Sequence, residues 1–286
     1  MIDPSQVNII IPHLGGTKET EYSIEQCIAS LRETSDIRII VVTNGNKCMS
    51  RHEADEWIQM DRQGQAGAVN AAVATTDTPW IFVTNDDMIY APGWWEKLTE
   101  NMIYIPNQVQ VGRDVGIKCI SPMLIEPRPG APTFEVAFCG GAGGDFDKQK
   151  WLQYVLDHND TPHPKVIRTG FNLPFLIKRD LWDTIGGYDI NYDPWGSNGD
   201  SDLEYKIRLA GVQPYQNTNC IVYHFSQTSG TFHPDNRKYW QDNWDYFIEK
   251  WGFPRTDDGI WEATFKIPTK EEGRLFNPDW ENKYGN

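Results

Sequence analysis

The sequence predicts an α/β fold in which helices flank a mostly parallel central sheet. Three short runs, residues 7–11, 37–42 and 80–83, are rich in β-branched or aromatic residues and are typical of buried strands. Segments with helical periodicity separate these runs. Strands that alternate with helices in this way form βαβ units, and such units build parallel sheets.

The segment between the first two strands predicts an amphipathic helix. Its apolar residues recur at i, i+3, i+4 and i+7: Ile24, Cys27, Ile28 and Leu31. Ser23 and Gln26 have the spacing of a capping box, which favours a helix start close to Ser23. A second helix is predicted where a stripe of small residues follows Gly64 and Gly67.

The second half of the chain is less regular. Residues 130–144 are rich in Gly, Ala and Pro and predict a loop that a ligand can approach. Apolar spacing predicts one helix that ends at Gly211 and another over residues 239–251. The tail from about residue 256 contains prolines and charges, and we expect it to lie on the surface.

Composition excludes several classes of function. The 40 acidic residues outnumber the 26 basic ones and give a net charge of −14, which disfavours binding to nucleic-acid phosphates and anionic membranes. No apolar run approaches the roughly 18 to 20 residues of a membrane span, and the N-terminus lacks the pattern of a signal peptide. The five cysteines are scattered and never in C-x-x-C spacing, which indicates reduced thiols rather than disulfides or a zinc site. We therefore expect a cytoplasmic protein without a membrane span.

Polar segments follow the predicted strands at the points where each strand ends. These segments are residues 12–16, 43–46 and 85–86. Ligands of open α/β sheets bind at the carboxyl ends of the strands. The sequence therefore predicts that the three segments meet at one ligand site.

Asn85, Asp86 and Asp87 are the sharpest local feature of this predicted site. Carboxylates fixed at a strand end suit a hard divalent cation with oxygen ligands. The alternative is a polar turn that closes the strand, since Asn and Asp are common in turns.

A second acidic segment opens the helix that ends at Gly211. Asp200 and Asp202 lie there behind a glycine-containing loop, where a carboxylate can be aimed into a cleft as a general base. The alternative is structural, because Ser201 and Glu204 also have the spacing of a capping box. Trp195, just upstream, is a candidate for stacking on a sugar ring.

Histidines offer one further candidate. His224 follows a short apolar run and is able to complete a carboxylate metal site if the fold brings it there. The alternative is a hydrogen-bonded structural histidine. None of the other five histidines, His13 among them, has a partner at metal-ligand spacing along the sequence.

Taken in order, these segments resemble the family 2 glycosyltransferases of GT-A fold. Residues 7–12 resemble the family's opening strand, residues 39–46 its V-V-D-N/D-G-S motif, and residues 64–70 its G-F-A-G-A-x-N stretch. Residues 82–87 occupy the D-x-D position. Downstream, residues 170–189 resemble the acceptor-side segment, residues 199–203 the E-D-x-D-L motif, and residues 223–224 the late histidine.

The resemblance implies a metal-dependent, inverting transfer of a sugar from a nucleotide-sugar to an acceptor hydroxyl, most simply that of a glycan. Asp86 would hold Mn²⁺ or Mg²⁺ at the diphosphate, His224 would be a second ligand of the metal or the diphosphate, and Asp200 would be the catalytic base. The donor would be bound by a larger set: Pro12, Thr43, Asn44, Gly64, Gly67, Asn70, Asn85 and Asp86. Trp195 and Asp202 would contact the acceptor.

Three departures from the family pattern keep alternatives open. Thr43 and Thr84 stand where the family has aspartates, and Gly199 replaces the acid before Asp200. UDP is therefore only the default nucleotide. One alternative is a catalytically inactive relative that binds carbohydrate, and another is a transferase acting on modified DNA, against which the net charge weighs.

The resemblance also predicts how the chain is organised. We expect a single GT-A domain over residues 1–255. Its nucleotide-sugar half, which is Rossmann-like, would span about 1–105, and its acceptor half about 106–255. Residues 256–286 would form a C-terminal extension.

Overall fold

The structure is a computed structural model. It describes residues 1–46, 48, 52–61, 64–100, 102, 116–127, 135–160, 167–226 and 234–251. The predicted extension over residues 256–286 and the first part of the predicted loop over residues 130–144 lie outside these residues.

Strands and helices alternate through the first half of the chain, as predicted. The strands are β1 (Val7–His13), β2 (Arg38–Asn44), β3 (Glu56–Met60), β4 (Trp80–Val83), β5 (Met88–Ile89), β6 (Cys119–Glu126), β7 (Glu135–Val136), β8 (Ile167–Thr169), β9 (Phe175–Lys178) and β10 (Tyr215–His224). The helices are α1 (Lys18–Thr34), α2 (Gln65–Ala74), α3 (Trp94–Thr99), α4 (Lys148–Asn159), α5 (Arg179–Ile185), α6 (Gly199–Leu209) and α7 (Arg237–Trp251).

All the strands belong to one mixed sheet that passes through both predicted halves. The strand order is β3-β2-β1-β4-β9-β6-β10-β5, with β7 beside β6 and β8 beside β10. Strands β3, β2, β1 and β4 are parallel, as the sequence predicts. Strand β9 is antiparallel to both of its neighbours, β4 and β6, so the parallel arrangement is interrupted at the centre of the sheet.

Both faces of the sheet are covered, which explains why its strands are apolar without alternation. On one face, Ile9 and Ile11 pack in a core that includes the predicted stripe of α1. On the other face, Ile10 packs with the small residues of α2, among them Val69 and Ala72. Successive side chains of a strand point to opposite faces, so β1 supplies both cores.

Helix α1 begins one and a half turns earlier than the capping pattern at Ser23 suggested. Its N-cap is Thr17, whose hydroxyl accepts from the Thr20 amide, while the Thr20 hydroxyl accepts from the Thr17 amide. Ser23 lies inside the helix and donates to the carbonyl of Glu19 at 2.9 Å. The capping box is therefore formed by two threonines. The pattern at Ser23 is an internal bond of the kind that serine makes one turn back.

Helix α7 packs against the acceptor-side segment through a separate small core. The buried members are Tyr192, Tyr205, Phe247 and Trp251. Among the helices in the described ranges, none is both long enough and apolar enough to cross a bilayer.

Candidate functional site

A cleft lies at the carboxyl edge of the parallel strands, where the sequence predicts a ligand. It is open to solvent, and the space within and in front of it amounts to about 590 Å³. Its lining residues come from the ends of β1, β2 and β4, the start of α2 and the loop before α6: Pro12, His13, Leu14, Asn44, Gln65, Asn85, Asp86, Asp87, Pro194 and Trp195. The structure thus brings Pro12, Asn44, Asn85, Asp86 and Trp195 together, although they are far apart in sequence.

Asp86 is held in this cleft by a histidine. Its Oδ2 lies 2.6 Å from Nδ1 of His13, at the end of the neighbouring strand β1. The His13 side chain is fully buried, whereas 13% of the Asp86 side chain is exposed. Burial lowers the pKa of His13, but the hydrogen bond and the charge of Asp86, with a contribution from Cys48, outweigh it and raise the pKa to about 10. His13 therefore carries a proton at neutral pH and fixes the orientation of the Asp86 carboxylate.

The next residue, Asp87, contacts a second histidine. Its Oδ2 lies 3.3 Å from Nε2 of His224, and Nδ1 of His224 lies 2.7 Å from Oε1 of Glu126. Burial lowers the pKa of His224, but the two carboxylates outweigh it and raise the pKa to about 10. The fold thus brings the predicted His224 to the D-x-D segment, where its contact is with Asp87.

Residues at the end of β2 divide between the cleft and the interior of the sheet. Asn44 lines the cleft, and its Oδ1 accepts from the Gly64 amide at 3.1 Å. Thr43 is buried and directs its hydroxyl toward β3, where it donates to Oε1 of Gln59 at 2.8 Å. Asn44 therefore lies where a nucleotide-sugar can reach it. The Thr43 hydroxyl points away from the cleft.

The start of α2 binds a carboxylate from the predicted acceptor half, residues 106–255. Asp193 accepts from the amides of Ala66 at 3.1 Å and Gly67 at 2.8 Å. Burial raises the pKa of Asp193 to about 6, although the two amides lower it. The amide of Gly67, predicted to bind the donor, is thus engaged by Asp193. This contact joins the two predicted halves beside the cleft.

Asn70 and Asp200 belong to one hydrogen-bonded chain. Asn70 donates to the carbonyl of Tyr188 at 2.9 Å and accepts from the Tyr188 amide at 3.0 Å. The Tyr188 hydroxyl then donates to Oδ1 of Asp200 at 2.8 Å. Burial and the Asp200 carboxylate raise the pKa of Tyr188 well above its ordinary value, so this hydroxyl stays a donor. Asn70 positions Tyr188, and Tyr188 orients Asp200.

The geometry of α6 does not support a capping box formed by Ser201 and Glu204. The helix begins at Gly199 with Asn198 as N-cap, so Ser201 lies inside the first turn and is not the capping residue. Glu204 pairs with Arg208 at 2.7 Å. The capping-box interpretation of Ser201 and Glu204 was therefore wrong, and Asp200 stands in the first turn, directly after the loop that carries Trp195.

Asp202 lies deeper than the acceptor contact predicted for it would require. Its side chain is fully buried. Its Oδ1 lies 2.6 Å from Nζ of Lys250 and accepts from the indole of Trp251 at 2.9 Å. The carboxylate thus fastens α6 to α7, and this geometry gives no support to an acceptor contact. The charge pattern at the start of α6 could not reveal a partner 48 residues further along.

One family model matches part of the chain. Residues 9–128 match the sequence model described as Glycosyl transferase family 2. The match covers less than half of the chain, so the likeness to this family is a likeness of residues 9–128. The matched segment contains most of β1, the α1 helix, the end of β2 and Asp86, and so covers most of the lining of the cleft. No curated protein sequence is significantly similar to this chain.

Three solved structures are similar to this chain, and one of them, GalNAc-T7, supports a shared fold. GalNAc-T7, solved with UDP, GalNAc and Mn²⁺, is 13% identical, with a TM-score of 0.52 over 96% of this chain and 54% of that one. The mannosyltransferase PcManGT from Pyrobaculum calidifontis, in complex with GDP-Man and Mn²⁺, is 15% identical, with a TM-score of 0.46 over 78% of this chain and 58% of the mannosyltransferase. TarS residues 1–349 from S. aureus are 10% identical, with a TM-score of 0.49 over 97% of this chain and 80% of TarS. The chain thus spans little more than half the length of GalNAc-T7 and of PcManGT.

Sequence patterns missed two parts of the site. His13 was set aside because no partner stands near it in sequence, yet Asp86 lies against it across the sheet. Asp193 carried no motif, although the residues it caps, Ala66 and Gly67, lie in a recognised stretch. The position of His13 at the end of a predicted strand was the one available signal for it.

Proposed function

We propose that this chain transfers a sugar from a nucleotide-sugar to an acceptor hydroxyl with inversion at the anomeric carbon. The observation that carries the proposal is the position of Asp86, at the end of β4 and within a cleft of the family-matched segment. The UDP and Mn²⁺ bound to GalNAc-T7, whose fold is similar, support the same type of donor and a divalent ion here. UDP remains the default nucleotide, and the cytoplasm the expected location.

The residues present fit a hard divalent cation. Asp86 offers a partly exposed carboxylate and Asn85 an amide oxygen beside it, and oxygen donors of this kind suit Mn²⁺ or Mg²⁺. A divalent ion held there would offset the charge of the diphosphate leaving group. His13 keeps the carboxylate oriented toward that position.

Around this position, the cleft offers surfaces for the rest of the donor. Pro12 and Asn44 line it on the side of β1 and β2, and we assign them to the nucleoside. The backbone amide of Gly64 donates a hydrogen bond to the Asn44 side chain and so holds it in place. His224 stays the proposed second ligand of the metal or the diphosphate. In that role its Nε2 would have to leave Asp87, and this contact is longer than the one between Nδ1 and Glu126.

Asp200 is the proposed catalytic base. Its carboxylate would take the proton of the acceptor hydroxyl while that oxygen bonds to the anomeric carbon and the bond to the diphosphate breaks. The hydrogen bond from Tyr188 orients this carboxylate. Trp195 lines the same cleft and packs against Tyr239 at 5.4 Å between ring centroids, which supports a sugar as the acceptor.

The test is a screen of nucleotide-sugars, with release of nucleoside diphosphate as the readout and Mn²⁺ or Mg²⁺ present. Asp200→Asn should reduce transfer at least about a thousandfold and leave donor binding within about threefold. The exposed Asp183→Asn serves as the matched control and should transfer normally. Transfer retained in Asp200→Asn would remove Asp200 from the base role. A wild-type chain that binds glycans but no donor would instead be the carbohydrate-binding alternative.

A further inference from the structure

Three potential metal ligands of different chemistry converge beside the cleft. They are the Nε2 of His13, the carboxylate of Glu21 and the Sγ of Cys48, and their ligand atoms all lie within 4.8 Å of one another. Nε2 of His13 is 3.7 Å from Oε1 of Glu21, and Sγ of Cys48 is 3.1 Å from Oε2 of the same carboxylate. The end of β1 and the first turns of α1 supply two of the three ligands.

The imidazole of His13 provides a second, independent observation. Its side chain is fully buried, and among the described residues Nε2 has no hydrogen-bond partner. The other ring nitrogen is held by Asp86 at 2.6 Å, so Nε2 is directed toward Glu21 and Cys48. A buried polar atom without a hydrogen bond is costly, and a cation would satisfy Nε2 by displacing the proton that His13 carries in the metal-free protein, with release of that proton to solvent.

We propose that His13, Glu21 and Cys48 bind one transition-metal cation, with Zn²⁺ as the preferred ion. A thiolate together with an imidazole and a carboxylate favours Zn²⁺ over Mn²⁺ or Mg²⁺, which prefer oxygen ligands. Ordinary zinc–ligand bond lengths place tetrahedral ligand atoms about 3.4–3.6 Å apart. The observed separations of 3.7 and 3.1 Å end on different oxygens of Glu21 and lie on either side of that range, so the carboxylate would rotate to bring one oxygen to the ion.

Asp86 would support this ion without binding it. A metal-bound histidine commonly directs its other nitrogen to a carboxylate, and the Asp86–His13 pair has that arrangement. The proposed ion would therefore fix the ring of His13 and, through it, the carboxylate that faces the cleft. The site does not depend on sugar transfer, since its three ligands are side chains of this chain and it needs no nucleotide.

The experiment is a titration of the full chain, reduced and stripped of metal, with Co²⁺ and then Zn²⁺ in the absence of nucleotide. We expect one Co²⁺ per chain with a thiolate-to-cobalt charge-transfer band, and displacement by Zn²⁺. Cys48→Ser should lose the band. Glu21→Gln should bind at least tenfold more weakly, while the exposed Glu19→Gln on the same helix should match the wild type.

Alkylation gives a second readout that does not require any variant to fold. Bound Zn²⁺ should protect Cys48 of the wild-type chain from iodoacetamide, followed peptide by peptide with mass spectrometry. The proposal is overturned if the wild-type chain shows no stoichiometric cobalt binding, or binds cobalt without a thiolate band. It is equally overturned if Cys48 reacts at the same rate with and without Zn²⁺. That result would leave His13 and Cys48 as a metal-free thiol–imidazole pair.

Discussion

The side chains of His13 and Asp86 meet at 2.6 Å between Nδ1 and Oδ2. His13 ends β1 and Asp86 follows β4, and these two strands are parallel neighbours, so their carboxyl ends lie side by side. The buried imidazole thereby sets the direction of the carboxylate that faces the cleft. The proposed metal at the donor and the proposed zinc beside it both depend on this contact.

Replacing His13 should weaken donor binding without abolishing it. His13→Asn removes the positively charged partner of Asp86 and leaves the carboxylate itself in place. Loss of a group that orients a ligand typically costs 10- to 100-fold in metal affinity. Calorimetric titration with UDP and Mn²⁺ should therefore show at least about a tenfold loss. His52→Asn is the control, and equal affinity of His13→Asn and the wild type would contradict the orienting role.

Gly64 should tolerate no side chain. Its φ of +105° is strained for other residues, and an added Cβ would lie 2.1 Å from Oδ1 of Asp193. Gly211 has a similar φ of +78° with open space around it. We expect Gly211→Ala to cost about 1 kcal/mol and Gly64→Ala roughly 3 kcal/mol of unfolding free energy, measured in urea. Equal costs would mean that Asp193 moves away from α2 freely.

Acid should weaken the ion pair between Asp189 of the acceptor-side segment and Lys250 of α7. Burial raises the pKa of Asp189, but Lys250 outweighs it, helped by the Asn191 amide and the Tyr246 hydroxyl, and lowers the pKa to about 2. Because the folded pKa lies below the unfolded one, the stabilisation is complete above about pH 4 and is lost as the pH falls through about 2.

The matched variant isolates this contribution. Asp189→Asn should be about 2 kcal/mol less stable than the wild type at pH 5, and the difference should shrink toward pH 2. Urea unfolding at several pH values measures it, with the exposed Asp183→Asn as control. A difference that does not change with pH would show that the Asp189 carboxylate is not selectively stabilised by folding.

Lys250 should matter far more than a surface lysine of the same helix. It is buried between Asp189 at 2.7 Å and Asp202 at 2.6 Å, so Lys250→Met leaves two buried carboxylates without their cation. Removing one partner from a buried charge network costs about 3–5 kcal/mol. Lys238 is exposed and lies 3.9 Å from Asp242, so Lys238→Met should lower the unfolding free energy by less than about 0.5 kcal/mol. Similar thermal unfolding of the two variants would contradict the buried network.

The parts of the site that sequence predicted are those governed by strand order. Pro12, Asn44 and Asp86 share one cleft because parallel neighbouring strands bring their ends together, and the apolar runs revealed those strands. The motif over residues 39–46 could not show that the Thr43 hydroxyl points into the sheet. The direction of a side chain at the end of β2 depends on the register of β2 with β3.

What sequence could not predict depends on contacts between distant segments. Glu21 meets His13 through the packing of α1 against β1, and Cys48 reaches the same place from the segment after β2, so no ligand spacing is visible along the chain, and the scattered cysteines indicated no zinc site. Asp202 has the pattern of an exposed helix start, yet its side chain is buried against Lys250 of α7. Asp193 caps α2 from more than a hundred residues away.

The central claim is that nucleotide-sugar binds in this cleft through a divalent ion held by Asp86. Its most direct test is calorimetric titration of UDP- and GDP-sugars into the wild type and Asp86→Ala, each with Mn²⁺ and with chelator. The account predicts one donor per wild-type chain with Mn²⁺, and at least about a hundredfold weaker binding with chelator or without the carboxylate. Donor binding of the same strength in Asp86→Ala, or in chelator, would contradict it.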